Sequence, residues 1–183
     1  MKKIILLFVL FMIFSACKND KKESKLDLED NKQERLNKQT KNSNFTIKLN
    51  AKVQNDDKFW VLYTEEPGEL FSVEKRIIKP VKGSDLHQEI EFIFPDKNIY
   101  PARLRLNVGT NREQKIINIK SIEILHEESQ IMIADTVLNK YFFPSKYIDL
   151  TENNGEIILN IKDGKYVPFL VSKKLLEEEL STF

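Results

Sequence analysis

From Asn44 onward apolar residues recur at every second position, and that period decides what the chain can fold into. Phe45, Ile47, Leu49, Ala51 and Val53 alternate with Thr46, Lys48, Asn50 and Lys52. Successive side chains of a strand point to opposite faces, so this spacing predicts a strand with one buried and one solvated side. Residues 59–64 are almost entirely apolar, aromatic and β-branched, which predicts a central strand. Alternation returns at 86–94 through Ile90, Phe92 and Phe94, and at 102–108, where Leu104 and Leu106 alternate with Arg103, Arg105 and Asn107. In 115–125 the apolar parity shifts at Lys120-Ser121, and a parity shift inside a β-run predicts a bulge. Residues 156–162 and 166–171 complete the set.

All five Gly lie in turn contexts, and Asp163-Gly164 between Ile161 and Tyr166 is the sharpest hairpin signal. Short strands, frequent turns and no long helical period predict an all-β fold, an antiparallel β-sandwich of jelly-roll-like form, over residues 44–183. Residues 175–180 fit a terminal helical turn, but Glu177-Glu178-Glu179 near its C-terminus opposes the macrodipole, so helix and coil both stay open there.

The first 43 residues read differently. Lys2 and Lys3 precede eleven consecutive apolar residues, Ile4 to Phe14, too short a run to span a bilayer and the right length for a secretory signal. Phe14-Ser15-Ala16-Cys17 follows, and this tetrapeptide resembles the lipobox of bacterial lipoproteins, with Phe in place of the usual Leu. The resemblance implies cleavage before Cys17 and acylation (palmitate among the acyl groups) of that residue, giving a membrane partner through the lipid anchor. Residues 1–16 are then the signal peptide. Without Lys2 and Lys3 the formal charge falls from +1 to −1. Residues 18–43 hold eight basic and six acidic residues and no aromatic one. Such a composition buries too little apolar surface to offset ordering entropy, so 17–43 is expected to be the lipidated Cys and a disordered tether. Its root-mean-square reach as a coil is roughly 30 Å.

Composition excludes several functions. One Cys permits no intrachain disulfide, and with only two His it makes a Cys/His zinc site unexpected. The near-neutral charge argues against a nucleic-acid partner. His87 and His126 stand in no metal-binding or catalytic motif and read as surface or strand-end residues. Glu89 and Glu91 share one strand face, whereas glycosidase carboxylates oppose each other across a cleft. Asp56-Asp57 and Asn153-Asn154 read as turn residues and lack the spaced oxygens of a calcium loop. No cofactor, no metal and no enzymatic activity are expected.

Residues 58–125 run from an aromatic-rich strand through Phe71-Ser72 and Phe94-Pro95 to Leu104-Arg105-Leu106-Asn107 and Ile117-Asn118-Ile119-Lys120-Ser121-Ile122-Glu123-Ile124. This order resembles jelly-roll domains related to carbohydrate-binding modules, including those attached to some bacterial glycosyltransferases. The resemblance implies a glycan ligand, although Asn107 stands where those domains often have Asp. Sugars are held by aromatic stacking and by planar hydrogen-bonding groups. Trp60, Tyr63, Arg103, Arg105 and Asn107 are therefore the candidate ligand-binding residues, with Tyr100 nearby.

A second aromatic cluster, Tyr141-Phe142-Phe143-Pro144 with Tyr147, reads either as a packed loop or as an interaction patch. Asp135-Thr136-Val137 resembles an O-glycosylation acceptor of the Bacteroidota, which makes Thr136 a candidate modification site. The expected protein is a lipoprotein of a bacterial cell envelope, anchored to a membrane, the outer membrane first, with its domain in the periplasm or at the cell surface. Its sandwich binds glycan without catalysis; the alternative is a structural or protein-interaction lipoprotein with an envelope protein as partner.

Overall fold

The computed structural model describes residues 44–151 and 154–183. The expected signal peptide, Cys17 and the tether, together with Asn153, lie outside the described residues. The remainder is a β-sandwich. Its strands are β1 (Thr46–Val53), β2 (Asp57–Thr64), β3 (Arg76–Val81), β4 (Gln88–Ile93), β5 (Arg103–Asn107), β6 (Ile116–His126), β7 (Ser129–Ala134), β8 (Phe142–Pro144), β9 (Ile148–Leu150), β10 (Glu156–Leu159) and β11 (Phe169–Ser172). Two short helices, α1 (Leu138–Tyr141) and α2 (Lys174–Leu180), accompany them.

One sheet has six strands in the order β4-β1-β6-β10-β9, with β7 also paired to β6. The other has five, in the order β3-β2-β5-β11-β8. Every pairing between these strands is antiparallel. Read in parallel, the two orders match β4 with β3, β1 with β2, β6 with β5, β10 with β11 and β9 with β8. The chain therefore winds back and forth between the sheets, as in a jelly roll, and each such pair is consecutive in sequence.

The alternating apolar residues meet between the layers. Phe59, Phe92, Phe94, Ile117, Ile124 and Leu170 are fully enclosed there, and each such side chain contributes about 1.5–3 kcal/mol by leaving water. Aromatic rings tie the sheets together at one end. Phe94 packs edge-on against Phe45 and at a tilt against Tyr63, both with ring centroids 4.8 Å apart.

The bulge lies where the parity shift predicts it. Asn50 pairs with Ser121 and Ala51 with Ile119, which leaves Lys120 as the extra residue of β6. That extra residue is what keeps Ile117, Ile119, Ile122 and Ile124 all on the core face. The predicted hairpin also forms. Lys162 and Lys165 exchange two backbone hydrogen bonds of 3.0 Å, and Asp163 and Gly164 both take positive φ, 55° and 68°. Two consecutive positive φ values make a type I′ turn, the form that Asp-Gly favours.

Helix α2 forms despite its acidic end because its carboxylates find partners. Glu177 accepts from Arg103 Nε at 3.2 Å and from Ser172 Oγ at 3.0 Å, Glu179 accepts from the Tyr141 hydroxyl at 3.1 Å, and Glu178 pairs with Lys174 at 3.3 Å. Leu176 and Leu180 turn into the core and dock the helix.

Candidate functional site: the outward face of the five-stranded sheet

Strand parity positions the site. On β2, Phe59, Val61 and Tyr63 face the core, so Trp60, Leu62 and Thr64 face outward. In register, Trp60 stands beside Asn107 of β5 and Ile78 of β3, and Leu62 beside Arg105 and Arg76. Asn107 then stands beside Phe169 of β11, Arg105 beside Val171, and Val171 beside Phe143 of β8. Side chains directly opposite each other in an antiparallel pair share a face. One sheet face therefore carries Trp60, Arg105, Asn107, Phe169, Val171 and Phe143.

Arg105 is the centre of this face. Its guanidinium carbon lies 3.8 Å from the centroid of the Phe169 ring, a stacked cation–π contact. Among the described residues no carboxylate pairs with it, and its Nε is buried without a hydrogen-bond partner. Burial pulls the Arg105 pKa below the ordinary arginine value, yet a guanidinium stays charged at neutral pH. Two residues along, Asn107 is only 1% exposed and its Oδ1 has no hydrogen-bond partner among the described residues. A buried donor and a buried acceptor, both unsatisfied, adjoin on one strand face. Each such group costs roughly 1–3 kcal/mol relative to a paired one.

Of the five ligand-binding residues expected from sequence, three stand together: Trp60, Arg105 and Asn107. Tyr63 does not join them. It lies three positions from Trp60, an odd spacing, and so points into the core, 6% exposed, where burial raises its pKa. Arg103 shares the outward face but is committed elsewhere. Its Nε donates to Glu177, its Nη1 donates to the Glu69 carbonyl at 3.4 Å, and its guanidinium sits 5.1 Å from the Phe71 ring. It ties α2 and the β2–β3 loop to the sheet rather than offering free donors.

Phe169, Val171, Phe143 and Ile78 were not legible as site residues, because only strand pairing brings them beside Arg105 and Asn107. The second aromatic cluster splits by the same logic. Phe142 and Tyr147 are buried, Tyr141 is half-buried against α2, and Phe143 is 59% exposed on this face. The Lys173 ammonium lies 4.5 Å from the Phe143 ring.

The remaining candidates have plain surroundings. Asp56 and Asp57 border a shallow cleft of about 300 Å³ with Lys58, Thr110 and Asn111. Asp57 Oδ1 accepts from the backbone N–H of Lys58 and Thr110, both at 2.8 Å, and Asp56 accepts from Lys82 Nζ at 2.6 Å and Gly83 N–H at 2.8 Å. These carboxylates hold turns together. The Lys82 hydrogen bond and the Gly83 N–H keep the Asp56 carboxyl below its ordinary value. Glu89 is exposed on the outer face of the other sheet, beside Lys48. His87 is exposed and bonded to Asn118 at 2.8 Å, whereas His126 closes β6 in a buried position against Tyr100, with centroids 4.9 Å apart. Thr136 is exposed in a single 3₁₀ turn, Asp135–Val137.

No protein-family model, no curated protein and no solved structure matches this chain.

Proposed function

We propose that the protein is a lipid-anchored component of a bacterial cell envelope whose β-sandwich binds glycan without catalysis, through the outward face of its five-stranded sheet. The observation that carries the reading is the grouping of Trp60, Phe169 and Phe143 with Arg105 and Asn107 on that face. Apolar ring faces stack on the C–H faces of a sugar, and a guanidinium answers its hydroxyls. The resemblance of residues 58–125 to carbohydrate-binding jelly rolls and the lipobox at Cys17 support the same reading. The lipid would place the domain at a membrane, with the outer membrane the first expectation, and Thr136 would be open to glycosylation.

A glycan-array screen of the wild type, followed by calorimetry on Phe169→Ala, tests it. The expected result is a bound glycan and at least a tenfold weaker Phe169→Ala variant that still melts cooperatively, about 1.4 kcal/mol or more of binding energy. Equal binding by the variant removes the face from the site, and no binding at all removes the reading. A second reading, a structural or protein-binding lipoprotein, is favoured by Leu70 and Val73, which stand 86% and 68% exposed in the β2–β3 loop. Cross-linking to an envelope protein that is lost in Leu70→Ser/Val73→Ser would support it.

A further inference from the structure

The two outer faces of the sandwich differ in charge. On the six-stranded sheet, Glu89, Glu91, Glu123, Asp149 and Glu156 share the outward side with Lys48 and Lys52. On the five-stranded sheet the outward strand positions include Lys58, Arg76, Arg103 and Arg105 and not one acid. Arg103 is answered by Glu177 from α2, whereas Arg105 has no carboxylate partner among the described residues. A partly desolvated cation without a counter-charge is costly unless something anionic completes it. Stacking on Phe169 holds its guanidinium plane fixed, which suits a planar carboxylate or a sulfate oxygen pair.

Resting on the glycan-binding reading above, we propose that the ligand of this face is an anionic polysaccharide and that Arg105 is the residue that pairs with its negative charge. Trp60 and Phe143 then supply stacking surface on either side, while Asn107, 1% exposed, lies beneath the surface and does not touch the ligand. Charge complementarity selects this occupant over a neutral chain, because a neutral glycan leaves Arg105 uncompensated.

The test uses the full chain in non-ionic detergent and two matched pairs of probes, polygalacturonate with its methyl ester and dextran sulfate with dextran. The expected result is binding to polygalacturonate at least tenfold tighter than to the ester, weakening as salt is raised. Arg105→Ala should erase that preference, Arg105→Lys should keep part of it, and Lys48→Ala on the opposite face should change nothing. The dextran pair distinguishes the source of charge: tight dextran sulfate binding lost in Arg105→Ala means that sulfate serves as well as carboxylate. If the ester and the acid bind equally, or Arg105→Ala binds polygalacturonate as the wild type does, the inference is overturned while the glycan reading stands. Equal losses in Lys48→Ala and Arg105→Ala reduce the effect to diffuse ion exchange and also overturn it. Failure to bind any polysaccharide overturns both, as does a dimer in sedimentation equilibrium that Phe143→Ala dissociates. Should Arg105→Ala not fold, the acid–ester comparison on wild type and Arg105→Lys decides alone.

Discussion

The Arg105 guanidinium stacks 3.8 Å from the centre of the Phe169 ring, across two neighbouring strands whose residues lie 64 positions apart in the chain. Arg103, two residues earlier on the same strand face, instead closes an ion pair with Glu177 of α2. One strand thus carries two arginines of opposite status, one spent on architecture and one without a charged partner among the described residues. Both are half-buried, so exposure does not tell them apart; only the position of a carboxylate does.

That difference makes a prediction. Arg103→Ala should destabilise the fold by about 1 kcal/mol, since the pair is only partly shielded from water, and should loosen α2. Arg105→Ala should cost no more than that, or should stabilise, because it removes a buried unsatisfied donor. Urea denaturation of the two variants checks the order. An Arg105→Ala variant several kcal/mol less stable than Arg103→Ala would show that the Phe169 stack is a structural element.

Gly109 cannot carry a side chain. Its φ is +113°, and a Cβ there would lie 2.1 Å from Asp57 Oδ2. Asp57 cannot step aside, because it holds the Thr110 and Asn111 N–H groups. Gly109→Ala should therefore cost about 2–4 kcal/mol, from backbone strain and a broken turn together. A loss below about 0.5 kcal/mol in chemical denaturation, within the range of a neutral surface change, would mean that the loop relaxes freely.

Tyr166 should be among the last tyrosines to ionise. Burial, reinforced by the Asp57 charge, pushes its hydroxyl up to about 12. The folded value is above the ordinary 10.0, so the neutral phenol favours the native state. Its contribution is fully present below pH 10 and fades as pH rises from about 10 through about 12. Absorbance titration at alkaline pH should show a late step that Tyr166→Phe removes; a full set of tyrosines titrating together near 10 would contradict the burial.

Cys17 should carry the lipid. Mass spectrometry of the membrane-associated protein should find an acylated N-terminal Cys17, and Cys17→Ser should leave residues 1–16 attached. A free Cys17 thiol on the wild type would rule the anchor out.

Parity made the sheets legible. Alternation at 45–53 and 102–108 determined which residues turn inward, the slip at Lys120 determined the bulge, and Asp163-Gly164 determined its hairpin, all because strand periodicity and turn φ angles are local properties. Parity also separates Trp60 from Tyr63, an odd number of positions apart, so the inward turn of Tyr63 was contained in the chain itself. Two things came only from tertiary structure. The first is which strands lie side by side: β11 and β8 reach β5 from more than 30 residues away, and their pairing sets Phe169 and Phe143 on the Arg105 face. The second is which arginine finds a counter-charge, since Glu177 reaches Arg103 only once α2 has docked through Leu176 and Leu180. Local sequence determines the direction in which a strand side chain points, whereas its neighbours across a sheet depend on long-range pairing whose free energy comes from burying the whole core at once.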